Sequence, residues 1–168
     1  MKLIDRVSDG LAVLAAILMF LTGVFLTYEV AGRYLFRAPT SWAQEVSELF
    51  LLWSVFLALG AMIHHRRNIS IDVLFQVLGT GGQRVLEIVA LVFVLVFLVL
   101  TAQSGFEIAW ASVARGTTTG TMVDIPSYFE EAAVPVGCAW AALQAVVELL
   151  RAVSGIGYRP NLGAGSEH

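Results

Sequence analysis

Four long apolar runs constrain this chain more than any motif in it. Leu11 to Tyr28 is a stretch of 18 residues without a charge, roughly 27 Å of helix at 1.5 Å per residue and just enough to cross the hydrocarbon of a bilayer. Leu49 to Ile63 is interrupted only by Ser54, Ile88 to Leu100 is continuous and runs on weakly to Trp110, and Ala132 to Leu150 forms the fourth run. A chain that is 58% hydrophobic and 14% charged is too apolar for a water-soluble domain of this length. The expected fold is all-α integral membrane, with four transmembrane helices at about 11–36, 42–63, 84–110 and 126–151 in a single domain over 1–153. A flexible, Gly-rich tail is expected over 154–168.

Polar punctuation places the helix ends. Glu29 and Arg33 stand four apart and share a helix face, with Arg37 one turn further, before Ala38-Pro39 stops the first helix. Ser41 and Gln44 have capping-box spacing at the start of the second, and Thr80 to Gln83 repeats it at the start of the third. The second span runs out in His64-His65-Arg66-Arg67. From Asn68 to Gly79 the apolar run is short and broken by Asp72 and Gln76, which predicts a short amphipathic helix lying in the interface. Arg115 to Thr121, rich in Gly and Thr, predicts a loop. Asp124-Ile125-Pro126 then predicts a helix start with proline in the first turn, and Pro135 a bend inside the fourth span. Along that span Ala133, Gly137, Ala141 and Ala145 recur every four residues, a face narrow enough for close helix packing in lipid.

Four spans put both termini on one side. Lys2, Arg6, Arg66, Arg67, Arg84, Arg151 and Arg159 outnumber Arg33, Arg37 and Arg115 on the opposite side, so both termini are expected in the cytoplasm. The net charge of −3 and the scattered basic residues offer no cationic stripe for nucleic acid, which leaves membrane lipid as the expected surround. Cys138 has no second cysteine to pair with.

Ionisable groups at mid-depth are the usual mark of a transport or catalytic site in a membrane, and here they cluster toward span ends. No Ser-His-acid set, phosphate loop or metal-spaced cluster stands out, so no enzyme, cofactor or metal is expected. Adjacent His64 and His65 point about 100° apart on a helix, which argues against one metal or haem between them. Trp42 and Trp110 suit an aromatic belt, while Trp53 and Trp140 lie deeper and suit packing. Glu29, Arg33, Arg37, Glu45 and Glu48, together with Ser41, Trp42 and Trp53, form the candidate site. Charges of both signs converge there on one helix junction, either as a self-contained ion network or as a clamp for a partner.

With these residues placed, the sequence resembles the small membrane subunit, DctQ-type, of tripartite ATP-independent periplasmic (TRAP) transporters. The resemblance is carried by Tyr28-Glu29-Val30, Arg33-Tyr34-Leu35-Phe36, Ser41-Trp42-Ala43-Gln44-Glu45, Leu52-Trp53, Leu59-Gly60-Ala61 and Ile69-Ser70-Ile71-Asp72, with a weaker match at Ile125-Pro126 and Val134-Pro135-Val136-Gly137. It covers roughly Leu11 to Arg151; Gln44 and Asn68 depart from the pattern, at positions where the family often has an acid and a histidine. The resemblance implies a non-catalytic scaffold that binds no substrate itself. Its partners would be a large multi-span membrane subunit working as an elevator and a periplasmic solute-binding protein, the whole importing an organic acid or similar solute on a sodium gradient. The alternatives from other classes are the membrane anchor of a respiratory oxidoreductase and a small autonomous exporter coupled through Glu29.

Overall fold

The computed structural model describes residues 2–35, 40–65, 80–120 and 124–154. Five helices account for nearly all of them: α1 (Lys2–Leu35), α2 (Ser41–His64), α3 (Thr80–Arg115), α4 (Tyr128–Glu131) and α5 (Ala133–Ser154). Four stretches are long and apolar enough to cross a membrane, the last made of α4 and α5 together. The interfacial helix expected over Asn68–Gly79 lies outside the described residues, as does the expected tail apart from Ser154, which ends α5.

Helix ends depart from the sequence expectations in instructive ways. The 34 residues of α1 begin at Lys2 rather than near Leu11, because Asp5 and Ser8 are held by side chains of α5 and the polar first turns are thereby kept helical. At α2 the N-cap is Thr40, which makes no side-chain cap bond, and the Gln44 amide donates to Glu48 of the same helix. The helix does start at Ser41, with Thr40 rather than Ser41 in the cap position. At α3 the helix already includes Thr80 and continues through Arg115, so the loop begins one residue later than expected, at Gly116 with φ 62°.

The fourth span also starts differently. Pro126 forms an isolated bridge with Thr118, fastened by Thr119 N–H to Ile125 O (3.0 Å) and Ser127 N–H to Thr117 O (3.1 Å). Those bonds hold Pro126 outside the helix, which begins two residues later. The irregularity expected at Pro135 falls instead at Ala132, between α4 and α5, where φ −67° and ψ −21° keep the chain close to helical. The cause is the same: Pro135 has no N–H for the carbonyl four residues back, so the ladder is interrupted ahead of it and resumes with Val136 N–H to Ala132 O.

The spans form an open row rather than a closed bundle. Helix α1 packs along α2, α2 along α5, and α5 along α3. The central α5 is the most buried of the four spans and α3 the least. Ala133, Gly137, Ala141 and Ala145 all lie buried on α5, and Ile63, Leu98 and Cys138 complete a core flanked by Phe56, Leu59 and Leu95. At Gly137 a Cβ would stand 2.5 Å from Phe56 Cβ and 2.6 Å from Phe56 O, so α2 and α5 touch backbone to backbone. Such approach is how helices gain dispersion energy where lipid removes the hydrophobic drive between them. Both flanking helices turn large apolar side chains outward, among them Phe20 on α1 and Phe93 and Phe97 on α3. Arg84 of α3 closes the end of α5 by donating to the carbonyls of Ala152 and Val153, both at 2.7 Å.

Candidate functional site

The row has two polar ends. At the terminal end, where α1 begins and α5 finishes, three helices meet through side chains far apart in sequence. Trp140 donates its indole N–H to Ser8 Oγ (3.2 Å), and Ser8 donates to Gln144 Oε1 (3.0 Å). Gln144, fully buried, donates to Asp5 (3.3 Å) and Glu148 (3.5 Å). The Arg151 guanidinium then bridges Glu148 and Asp5, both at 2.5 Å, and His64 Nδ1 of α2 faces Glu148 at 3.2 Å and Asp5 at 3.4 Å. Here α5 contributes Gln144, Glu148 and Arg151 at helical spacing, and α1 contributes Asp5 and Ser8. With each charge paired and each amide satisfied, the cluster locks α1 to α5, which otherwise touch little.

The sequence reading assigns Trp140 to packing and His64 to the polar end of the second span, and neither points to this network. A detectable signal was the i, i+4, i+7 spacing of Gln144, Glu148 and Arg151 on one face. The argument against paired histidines was also too strict: ring nitrogens of His64 and His65 lie within 4.8 Å of each other and of the Asp9 carboxylate. The two rings serve different partners, with His65 Nε2 at 2.9 Å from Asp9 Oδ1.

At the opposite end the charge group expected at one junction is divided. Glu29 is buried on α1 and takes Arg33 of its own helix as partner. Arg37 lies outside the described residues. Trp42 fills the α1–α2 junction with its ring, 6.1 Å from Phe25 edge-on and 6.0 Å from Tyr28. Ser41 is the first residue of α2. Glu45 and Glu48 belong instead with α4, where Glu130 experiences the charges of Glu48, Glu131 and Glu45. No ion pair within 4 Å joins either to Arg33 among the described residues. Trp53 donates its indole N–H to Phe129 O (3.0 Å), fastening α4 to α2.

That last bond carries a testable consequence. Trp53→Phe keeps a ring in place but orphans a carbonyl, and is expected to lower stability by about 1 kcal/mol. Detergent unfolding curves should show it together with faster proteolysis between α3 and α4. Unchanged values for both would mean that α4 is held by something else.

Four membrane-crossing stretches in an open row, with ionisable groups gathered at the ends, define a multi-pass helical component of a membrane assembly. The family model described as tripartite ATP-independent periplasmic transporters, DctQ component, matches residues 23–155, and the chain belongs to that family. It is a small membrane subunit of a TRAP transporter, a multi-pass protein of the inner membrane, in a family whose transporters also comprise a large membrane component and a periplasmic binding component. No curated protein matches the chain in sequence. Neither the fold nor the family match supports the oxidoreductase-anchor reading.

Proposed function

We propose that this chain is the fixed, non-catalytic scaffold of its transporter. It holds a large elevator-type membrane subunit in place while that subunit, supplied by a periplasmic solute-binding protein, imports an organic acid or similar solute on a sodium gradient. The family match is the observation that carries this reading. The open row agrees with it, because a scaffold needs rigid internal joints and free lateral faces. The backbone contact at Gly137 and the Arg151 network supply joints, and the outward faces of α1 and α3 supply surface. The termini and the Arg151 network lie on the cytoplasmic side in this reading, in line with the charge bias, and α4 with Glu45 and Glu48 on the periplasmic side.

The test is co-expression with the large subunit encoded beside it. The chain is expected to purify with that subunit, and vesicles holding both, given the binding protein, should accumulate solute when sodium is added outside. Omitting this chain should abolish uptake. A stable chain purified without any polytopic partner, or full uptake in its absence, would defeat the proposal.

A further inference from the structure

The terminal end of the row carries a second cluster, beside the Arg151 network. A ring nitrogen of His64, a ring nitrogen of His65 and a carboxylate oxygen of Asp9 all lie within 4.8 Å of one another. Asp5, His64 and Glu148 come equally close, but there the Arg151 guanidinium already supplies the cation, 2.5 Å from each carboxylate. Asp9 has no Lys or Arg within 4 Å among the described residues; its partner is His65, whose Nε2 stands 2.9 Å from Oδ1.

The two rings can converge because the helix stops between them. Helix α2 ends at His64, and His65 is its C-cap with ψ 4°, so the ring centroids come to 5.0 Å. Behind His64, carboxylates fix the ring. Its Nδ1 faces Glu148 at 3.2 Å and Asp5 at 3.4 Å. Ionised carboxylates only accept, so Nδ1 carries the proton and the lone pair is left on Nε2. A carboxylate behind an imidazole is the arrangement that holds a metal-binding histidine in one tautomer and raises its basicity. The Glu148 side chain is 4% exposed, whereas Asp9 and His65 keep 52% and 51%, so the cluster has a rigid inner wall and an outer side open to water.

Two imidazoles and one carboxylate select the kind of ion. Magnesium and calcium prefer oxygen ligands throughout, while zinc and its neighbours take imidazole nitrogen readily. Around a tetrahedral zinc ion with bonds of about 2.0–2.1 Å, ligand atoms stand roughly 3.3 Å apart. Rotation of the two half-exposed side chains about the fixed His64 ring reaches that spacing.

We propose that Asp9, His64 and His65 form a binding site for a divalent transition-metal ion of the zinc class, with water in the fourth position. The ion replaces the proton between His65 and Asp9 and staples the beginning of α1 to the end of α2. The site concerns this chain's own residues and does not depend on the scaffold reading. Sequence spacing conceals it, since Asp9 and His65 are 56 residues apart.

The experiment titrates Zn²⁺ into the chelator-treated full chain in detergent, together with any subunit that purifies with it, and follows calorimetric binding and the unfolding midpoint. Wild type is expected to gain one bound ion per chain and a higher midpoint. Asp9→Asn and His65→Gln, at half-exposed positions where folding is spared, should each weaken binding about 10-fold or more and abolish the rise in midpoint. Co²⁺ in place of Zn²⁺ should give a visible d–d band in wild type that both variants lose. His168→Gln, which removes the only histidine outside the cluster, should change nothing. Zn²⁺ affinity equal in wild type and both cluster variants would overturn the proposal, as would loss of binding through His168→Gln alone, which would place the ion on the tail. Equal stabilisation by Mg²⁺ would overturn it too, because screening of surface acids would then suffice.

Discussion

Gly137→Val is expected to separate α2 from α5 and to leave little folded protein. The first added carbon already falls 2.5 Å from Phe56 Cβ, 2.6 Å from Phe56 O and 2.8 Å from Phe56 C. Two of those three atoms are backbone, so no rotamer change relieves the overlap and the helices must move apart. Separation would loosen the contacts of Ala141 and Ala145 with the core on either side of α5. Overpacking of this kind costs about 3 kcal/mol, the upper part of the usual range, because the obstacle is main chain. Alanine at the same site is expected to cost less, since it adds the clashing carbon and nothing beyond it. Gly23→Ala, on a part of α1 with no atom within 4 Å of the new carbon, serves as the control and should be neutral or slightly stabilising. Detergent-denaturation midpoints measure all three. A valine variant unfolding at the wild-type midpoint would show that the close approach of α2 and α5 does not hold in the membrane.

Arg151→Met is the second large effect expected, and its logic is electrostatic. The guanidinium bridges Asp5 of α1 and Glu148 of α5 at 2.5 Å each, closer than His64 Nδ1 or the Gln144 amide comes to either, and the Glu148 side chain is only 4% exposed. Methionine keeps the apolar stem but leaves two carboxylates around His64 and Gln144 with less positive charge than they need. Removing one member of a buried pair typically costs 3–5 kcal/mol; Asp5 and Arg151 keep 18% and 15% exposure, so solvent screening lowers the expectation to about 2–3 kcal/mol. Lysine should restore only part of the loss, because a compact ammonium does not reproduce a fork reaching two carboxylates. Adding Asp5→Asn to Arg151→Met should cost less than the two changes summed, since the second change removes a charge that the first left unpaired. Strictly additive unfolding free energies would mean that the three-helix cluster does not act as a unit.

Much of the fold was legible from the chain, and the limits of that legibility follow from what lipid does to information. Apolar length alone identifies a span, because hydrocarbon offers no partner for an open peptide group and the helix supplies every bond within itself. The small face Ala133, Gly137, Ala141 and Ala145 was likewise visible as a four-residue register. The chemistry of the candidate site was less visible. Glu29, Arg33, Glu45 and Glu48 lie close in sequence and looked like one cluster, yet α1 turns one pair on itself while α2 turns the other toward Glu130 and Glu131, more than eighty residues further along.

By itself, then, the sequence determined the helical class, the spans, the TRAP-type resemblance and the places where charge had to sit, because each depends on hydropathy or on residues within a few turns of one another. Tertiary structure alone decided the order α1, α2, α5, α3 in the row, the three-helix network through Arg151, the break at Ala132 and the burial of Glu45 with no hydrogen-bond partner among the described residues. Lateral order has no hydropathic signature, since a leucine facing lipid and one facing a neighbouring helix lie in equally apolar surroundings. Long-range polar partners have none either: His64 and Glu148 are 84 residues apart, and only the packing of α2 against α5 makes them neighbours.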